Sequence, residues 1–271
     1  MFLNKGYAGI VSSPTIDAFF VRISHTVTES PFRAMLWAML IFAHRGVASK
    51  GVDENSIEAI RRAVELGVDG IELDIHRSRD GLAIVTHDKD LRRIAGDNRR
   101  ISELTRRDFR KIRLRKGMGI PMLDEVTASV PAPVRLDFEI KDRAALELLV
   151  RKLRTSAGLR SRSLISSFHK DVLNDAAASV PDVPRIFLMK RWPRRIGPAS
   201  EWFLQNGIFA AGLPSTFWNV DRVRTLKERG VCAVAWENWP MRSTERRAKH
   251  LREIGIDIAI VNQPDTYRST G

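Results

Sequence analysis

Nine strand-like apolar runs alternate with helix-like segments along this chain, and the alternation restricts its fold more than any other feature. The strand-like runs span residues 39–43, 70–75, 82–86, 134–140, 163–167, 184–189, 208–212, 231–236 and 257–261. Segments with helical periodicity lie between most of them, including residues 56–66, 143–156, 170–179, 220–229 and 243–254. This order is typical of parallel strands joined by helical crossovers.

One connection is too short to be a crossover. Residues 76–81 separate the second and third runs, whereas a parallel crossover needs about a dozen residues or more. Asp80-Gly81 is instead a hairpin turn signal, so the third run is expected to fold back on the second. Eight parallel strands remain, which predicts an α/β fold of the (β/α)8 TIM-barrel type. The β-hairpin and a small basic lid at 89–120, with a short helix near 106–112, are inserted after the second barrel strand.

Nothing in the composition requires a second domain, so residues 34–271 are predicted to form one barrel domain. Residues 1–33 lack clean periodicity and the features of a secretory signal, and we interpret them as a loosely attached extension. The longest apolar stretch, residues 34–43, is about half as long as a membrane span, so we interpret it as a buried strand. The single cysteine, Cys232, excludes an internal disulfide and suits a cytoplasmic location.

The net charge of +13 predicts attraction to anions, and much of it lies in the expected lid. Residues 89–116 contain twelve Lys or Arg and four acidic residues, a net +8. Two interpretations remain open: a solvated face, or a field that draws an anionic membrane surface to the barrel mouth. No nucleic-acid-binding module is present, so a nucleic-acid partner is not expected.

Acidic groups lie at the ends of otherwise apolar strands, where they are costly unless they meet each other or a ligand. Glu72 and Asp74 are two residues apart and share one strand face, as do Asp137 and Glu139 on the next barrel strand. Facing carboxylates at a barrel mouth favour a divalent cation, Mg²⁺ or Ca²⁺. The alternative is a set of surface salt bridges in which Lys141 pairs with Glu139.

Two histidines, His44 and His87, also follow strand-like runs that end at this mouth, which makes them candidates for general acid and base. Arg45 is a candidate phosphate clamp. Gly46 is expected to supply a tight turn without chemistry of its own. Asn55 followed three residues later by Glu58 indicates a helix N-cap.

These motifs occur in an order that resembles the glycerophosphodiester phosphodiesterase family over about residues 40–265. The motifs are His44-Arg45-Gly46, Glu54-Asn55-Ser56, Gly70-Ile71-Glu72-Leu73-Asp74, Asp80-Gly81, His87-Asp88, Pro121-Met122-Leu123-Asp124-Glu125, Glu139-Ile140-Lys141 and Ser167-Phe168. The resemblance implies a barrel enzyme that uses a divalent cation to hydrolyse glycerophosphodiesters to glycerol 3-phosphate and an alcohol.

The resemblance also assigns roles to individual residues. It implies that His44 and His87 are the acid/base pair, that Glu72, Asp74 and Glu139 bind the metal, and that Arg45 and Lys141 contact phosphate. Two further residues, Glu54 and Asn55, could ligate the metal or brace the site, and for Asn55 a role as N-cap only remains open. Phe168 and Trp236 fit positions that line the pocket, although core residues would look the same.

Three positions depart from the family pattern: Asp53, Glu237-Asn238 and Asn262-Gln263. All are expected to lie outside the catalytic set and to affect the rim of the site. Two alternative functions remain: lysophospholipase D-like hydrolysis of lipid phosphodiesters, and a non-catalytic anion-binding barrel. The attacking nucleophile, either water or a neighbouring substrate hydroxyl, and the oligomeric state are left open.

Overall fold

The structure is a computed structural model that describes residues 39–238 and 241–269. The expected N-terminal extension, residues 1–33, lies outside the described residues.

Eight parallel strands close into a barrel, as predicted. They are β1 Leu40–His44, β2 Gly70–Arg77, β4 Arg135–Ile140, β5 Ser163–Ser167, β6 Arg185–Leu188, β7 Ala210–Pro214, β8 Cys232–Trp236 and β9 Ile258–Val261. Each strand pairs with its neighbour in chain order, and β1 pairs with both β2 and β9, which closes the ring. All strand ends therefore carry their functional groups to one rim.

The remaining strand, β3 (Ala83–Val85), pairs antiparallel with the end of β2, so the hairpin prediction is confirmed. Its register places His76 opposite Ile84. The segment that follows, residues 89–120, folds around a small apolar cluster of its own that includes Leu91, Phe109 and Ile120. The cluster also includes Ile84 of β3, so the segment packs on the hairpin and lies outside the barrel strands.

The other elements are helices that cover the barrel and build the inserted segment. They are α1 Ile57–Glu65, α2 Arg92–Ala95, α3 Arg106–Lys111, α4 Leu123–Ser129, α5 Arg143–Thr155, α6 Ala157–Arg160, α7 Lys170–Ser179, α8 Ile196–Gln205, α9 Val220–Lys227, α10 Glu245–Glu253 and α11 Pro264–Arg268. Two short 3₁₀ turns, Ile101–Glu103 and Ser215–Phe217, complete the set. Their apolar faces pack on the outside of the barrel, where the largest hydrophobic cluster lies.

The N-cap of α1 is Ser56 rather than Asn55, so that prediction was wrong. The Ser56 hydroxyl accepts a hydrogen bond from Ala59 N at 3.1 Å. Asn55 has a left-handed backbone, with φ of 57°, whereas a side-chain N-cap has an extended one. Its amide is therefore released from capping and turns toward the site.

Along each strand, side chains that face the helices alternate with side chains that face the barrel interior. The inward-facing ones fill the interior on the amino-terminal side of the acidic residues. Phe42 lies against Gly70, where an added Cβ would stand 2.5 Å from the Phe42 ring. The neighbouring inward residues of the later strands, among them Leu164, Ile186 and Val234, join the same apolar cluster. In the described part of the chain, no helix is long and apolar enough to cross a membrane.

Candidate active site

Strand register brings the predicted acidic residues together at the carboxyl rim. His44 is level with Glu72 across the β1–β2 pair. Asp74 is level with Glu139 across the β2–β4 pair. All four side chains are buried.

Three carboxylates form a compact cluster: Glu72, Asp74 and Glu139 each offer an oxygen, and these atoms lie within 4.8 Å of one another. Burial raises the pKa of Glu72 well above its usual range, and the charges of Asp74 and Glu139 add to this rise. The Oε1 atom of Glu72 is buried and has no hydrogen-bond partner among the described residues. Such a cluster is strongly anionic and fits a divalent cation.

Asp137 extends this acidic wall inward, level with Glu72 on the adjoining strand. It is fully buried, and this burial raises its pKa to about 7 despite the nearby Ser166 hydroxyl. Two buried carboxyl groups that resist ionisation next to each other make this part of the barrel costly to charge.

Arg45 and Lys141 supply cations to the cluster from opposite sides. Arg45 Nε lies 3.2 Å from Asp74 Oδ2, and Lys141 Nζ lies 2.7 Å from Asp74 Oδ1 while also contacting Glu139. Although burial opposes it, the pKa of Lys141 is raised by Asp74 and Glu139. Lys141 therefore does pair with Glu139, but in a buried network rather than in a surface salt bridge.

His44 is held by a residue that was expected to lie outside the catalytic set. His44 Nδ1 lies 2.8 Å from Asn262 Oδ1. The Asn262 amide donates to the Asn238 and Met241 carbonyl groups at 3.2 and 2.7 Å, so its oxygen must accept from His44. The proton of neutral His44 is then on Nδ1, and its Nε2 lone pair is free, 3.7 Å from Glu72 Oε2.

The environment of His44 also favours that neutral form. Burial, followed by the charge of Arg45, lowers its pKa to about 3. The expectation that Asn262 affects only the rim was wrong, because barrel closure places the end of β9 beside the end of β1.

The second departure, Glu237, is a fully buried hub that supports Asn262. Its carboxylate accepts hydrogen bonds from Ser243 Oγ at 2.6 Å, Asn262 N at 2.9 Å and Tyr267 Oη at 3.0 Å. It also pairs with Arg247 at 3.0 Å. Glu237 therefore fixes the backbone that carries the partner of His44, and sequence reasoning missed this role.

His87 stands at the more open side of the rim. Its Nδ1 lies 2.7 Å from Asp88 Oδ1, and Asp88 Oδ2 accepts from Arg93 Nε at 2.6 Å. The backbone of His87 is fixed by His76, whose Nε2 lies 3.0 Å from the His87 carbonyl oxygen. The hairpin thus returns His87 to the rim as predicted, while Arg93 from the inserted segment braces its partner.

Glu54 and Asn55 divide the bracing of the acidic cluster between them. Glu54 binds arginines, Arg45 at 2.9 Å and Arg93 at 2.6 Å, and it is not part of the three-carboxylate cluster. Asn55 donates from Nδ2 to Asp74 Oδ2 at 3.0 Å, and its buried Oδ1 has no partner among the described residues.

Three residues of the loop after β1 have a left-handed backbone, namely Arg45, Gly46 and Asn55. Gly46 has φ of 75°, and an added Cβ there would lie 2.6 Å from the Ala59 carbonyl carbon of α1. Only glycine fits this close approach, which supports the expected turn. The third departure, Asp53, accepts from Lys116 N at 3.0 Å and so ties this loop to the inserted segment.

A cavity of about 550 Å³ opens above these groups. Its lining joins His44, His87, Glu72, Glu139 and Lys141 to an aromatic side formed by Phe168 and Trp236. The two rings meet edge to face, with centroids 5.9 Å apart. A second groove of about 510 Å³, between α1 and the inserted segment, has neither histidines nor the acidic cluster in its lining.

A (β/α)8 barrel with two histidines, a buried acidic cluster and cationic side chains at its carboxyl rim defines an enzyme class suited to anionic esters. Comparison with known proteins identifies the family. Residues 44–266 match the family model described as "Glycerophosphoryl diester phosphodiesterase family", and the chain belongs to this family of hydrolases.

A curated relative agrees with this assignment, and solved structures agree with the fold. The chain is 29% identical to a glycerophosphodiester phosphodiesterase of Caldanaerobacter subterraneus over 84% of its own length and 95% of the relative's. The glycerophosphodiester phosphodiesterase structure from Thermotoga maritima matches with a TM-score of 0.74 at 24% identity, over 86% of this chain and 99% of that one. An Oleispira antarctica phosphodiesterase in complex with the product sn-glycerol-3-phosphate matches with a TM-score of 0.75 at 22% identity, over 85% and 96%.

Proposed function

We propose that the protein hydrolyses glycerophosphodiesters to glycerol 3-phosphate and an alcohol, using a divalent cation and the two rim histidines. The observation that carries the proposal is the three-carboxylate cluster within 4.8 Å, with the free Nε2 of His44 lying 3.7 Å from one of its members. Paired proton carriers beside a cation site are what phosphodiester hydrolysis requires.

The residues present fit such a cation. Glu72, Asp74 and Glu139 would hold it, and Asn55 Oδ1, which has no partner within the part of the chain that the structure describes, is a suitable further oxygen donor. When bound, the cation would neutralise phosphoryl oxygens and stabilise the charge that develops on them. Glu54 then acts as a brace, since its carboxylate pairs with both Arg45 and Arg93. Either Mg²⁺ or Ca²⁺ is compatible with an all-oxygen donor set.

His44 is suited to accept a proton at Nε2, because its Nδ1 proton is held by Asn262. It would take the proton of the attacking oxygen, which belongs to water or to a neighbouring hydroxyl of the substrate. His87, oriented by Asp88 through Nδ1, would give a proton from Nε2 to the departing alcohol. The phosphorus–oxygen bond to that alcohol breaks as the new one forms.

Phosphate recognition falls to Lys141 with support from Arg45, both of which line the cavity. Phe168 and Trp236 would contact the organic part of the substrate. This division leaves the charged groups on one side of the cavity and the apolar contacts on the other.

A substrate panel tests the proposal. Glycerophosphoglycerol, glycerophosphocholine and lysophosphatidylcholine are incubated with the protein in Mg²⁺, in Ca²⁺ and in excess chelator. We expect cation-dependent release of glycerol 3-phosphate from the first two. Choline release from lysophosphatidylcholine alone would favour the lysophospholipase D alternative, and failure on every diester would favour the non-catalytic one.

The basic inserted segment is proposed to draw the protein toward anionic membrane surfaces from a cytoplasmic location. Its net charge of +8 over residues 89–116 supports this. Vesicles with and without an anionic lipid test it. Binding to the anionic vesicles should weaken steeply with added salt, and salt-independent binding would contradict the proposal.

A further inference from the structure

The cationic side chains that line the cavity differ in whether a carboxylate pairs with them. Four cationic side chains line it: Arg45, Arg93, Lys141 and Lys190. The first three are each held by two carboxylates. Lys190 is exposed, and across residues 39–238 and 241–269 no carboxylate pairs with it.

Lys190 stands on the aromatic side of the cavity, away from the acidic strands. It follows β6, and its Nζ lies 5.9 Å from the centroid of the Phe168 ring. Phe168 in turn contacts Trp236 edge to face. The cation therefore lies beside the surface that the organic part of a diester would occupy.

An aromatic pair of this kind could otherwise attract a quaternary ammonium group. Here the protein's own ammonium is already at the ring. Among the described residues, those that line this side of the cavity include no carboxylate that could compensate a second cation. They are Phe168, His169, Leu188, Lys190, Trp236, Asn238 and Ile260.

We propose that Lys190 sets the charge preference of the site, so that diesters with an anionic or neutral alcohol half are favoured over those with a cationic one. This inference rests on the proposed phosphodiester hydrolysis. Exchanging a cationic choline for an inositol phosphate, whose phosphate carries a charge of about −1.5 to −2, changes the interaction with Lys190 by about 2.5 to 3 unit charges. At roughly 7 Å in a largely aqueous mouth, that amounts to about ten- to twentyfold in kcat/KM.

The test compares kcat/KM at low ionic strength for three diesters, namely glycerophosphoinositol phosphate, glycerophosphoglycerol and glycerophosphocholine. These carry an anionic, a neutral and a cationic alcohol half. We expect the wild type to favour the first over the last by about ten- to twentyfold. Lys190→Met should reduce that ratio to about one, and Lys190→Glu should reverse it.

Lys249→Met is the matched control, because it removes the same net charge from an exposed site on α10 whose only described ion pair is with Glu253. Its ratio should equal that of the wild type. A ratio unchanged in Lys190→Met would overturn the proposal, as would an equal loss on all three diesters, which would place Lys190 on the shared phosphate. Absence of turnover by the wild type on all three would instead refute the hydrolysis itself, and this inference with it.

Discussion

The two walls of the barrel interior are built from the same strand geometry but from opposite chemistry. One wall, formed by β1, β2 and β4, carries His44 and four carboxylates at its rim. The facing wall, from β5 to β9, presents mainly aliphatic side chains such as Ile186, Val234 and Ile260.

On the first wall, burial raises the pKa of Glu72 and of Asp137, and neighbouring carboxylates add to the rise. Lys141 and Arg45, in contrast, hold the pKa of Asp74 low against its burial. The second wall is stabilised by the burial of apolar side chains.

The polar wall therefore carries the functional groups, and the apolar wall contributes to stability. The polar wall holds like charges together in the absence of a cation, which opposes folding. The burial of apolar side chains in the apolar wall and the outer core stabilises the fold enough to offset this repulsion. Substitutions on the two walls should therefore have opposite effects on activity and stability.

The largest expected effect is on the polar wall. Glu72→Gln should lower kcat/KM by a factor on the order of 10³, because one cluster oxygen loses its charge. Cation affinity, measured by calorimetric titration, should fall in parallel. The exposed substitution Glu253→Gln should change neither quantity, and a wild-type rate for Glu72→Gln would refute its assigned role.

On the apolar wall, Ile186→Ala should cost about 2–5 kcal/mol of unfolding free energy, since it opens a cavity beside fully buried neighbours. Urea unfolding measures this loss. Below the unfolding transition, kcat should stay within about twofold of wild type. Leu204→Ala, at a side chain that is 59% exposed, is the control for size. A large loss of kcat with unchanged stability would break the division between the walls.

Asp137→Asn should stabilise the cation-free protein, measured in excess chelator, at high pH. Because its pKa is raised to about 7 in the folded state, Asp137 stabilises the fold at low pH, and this contribution is lost as pH rises through 7. Replacing it should therefore add roughly 2–4 kcal/mol at pH 8, and little near pH 4, where the carboxyl is largely protonated. Urea unfolding in chelator at both pH values tests the sign. An equal change at both would show that ionisation of Asp137 is not the cause.

The smallest effect is expected at the contact that orients His44. Asn262→Leu keeps the side-chain volume but removes the acceptor for Nδ1–H, so kcat should fall by about 10- to 100-fold. Circular dichroism checks that the fold is retained. The neighbouring exposed residue provides the control, since Gln263→Leu should retain full activity. An unaffected kcat in Asn262→Leu would show that His44 needs no orienting partner.

The sequence predicted the framework of this site well, because the relevant signals are local. Alternating patterns located every barrel strand, and the short link through Asp80-Gly81 identified the antiparallel return of β3. Glu72, Asp74 and Glu139 were predicted to converge because parallel strands end at one rim, and they do.

The contacts that were missed are long-range. Asn262 meets His44 from 218 positions away, and Arg93 reaches Glu54 across 39. Barrel closure offered a signal for the first, since the final strand must pair with β1. No local pattern in the irregular segment around Arg93 indicated its partners. The left-handed backbone of Asn55 was also missed, because a capping motif and a turn share the same polar residues.

Finally, the contact between Phe42 and Gly70 bears on how molecules reach and leave the site. The Phe42 ring occupies the volume that a side chain at position 70 would need, and it belongs to the buried apolar cluster inside the barrel. Substrate and both products are therefore expected to pass through the one cavity that the site residues line. Lys190 and Arg93 line this cavity and are therefore placed to influence product release as well as substrate binding.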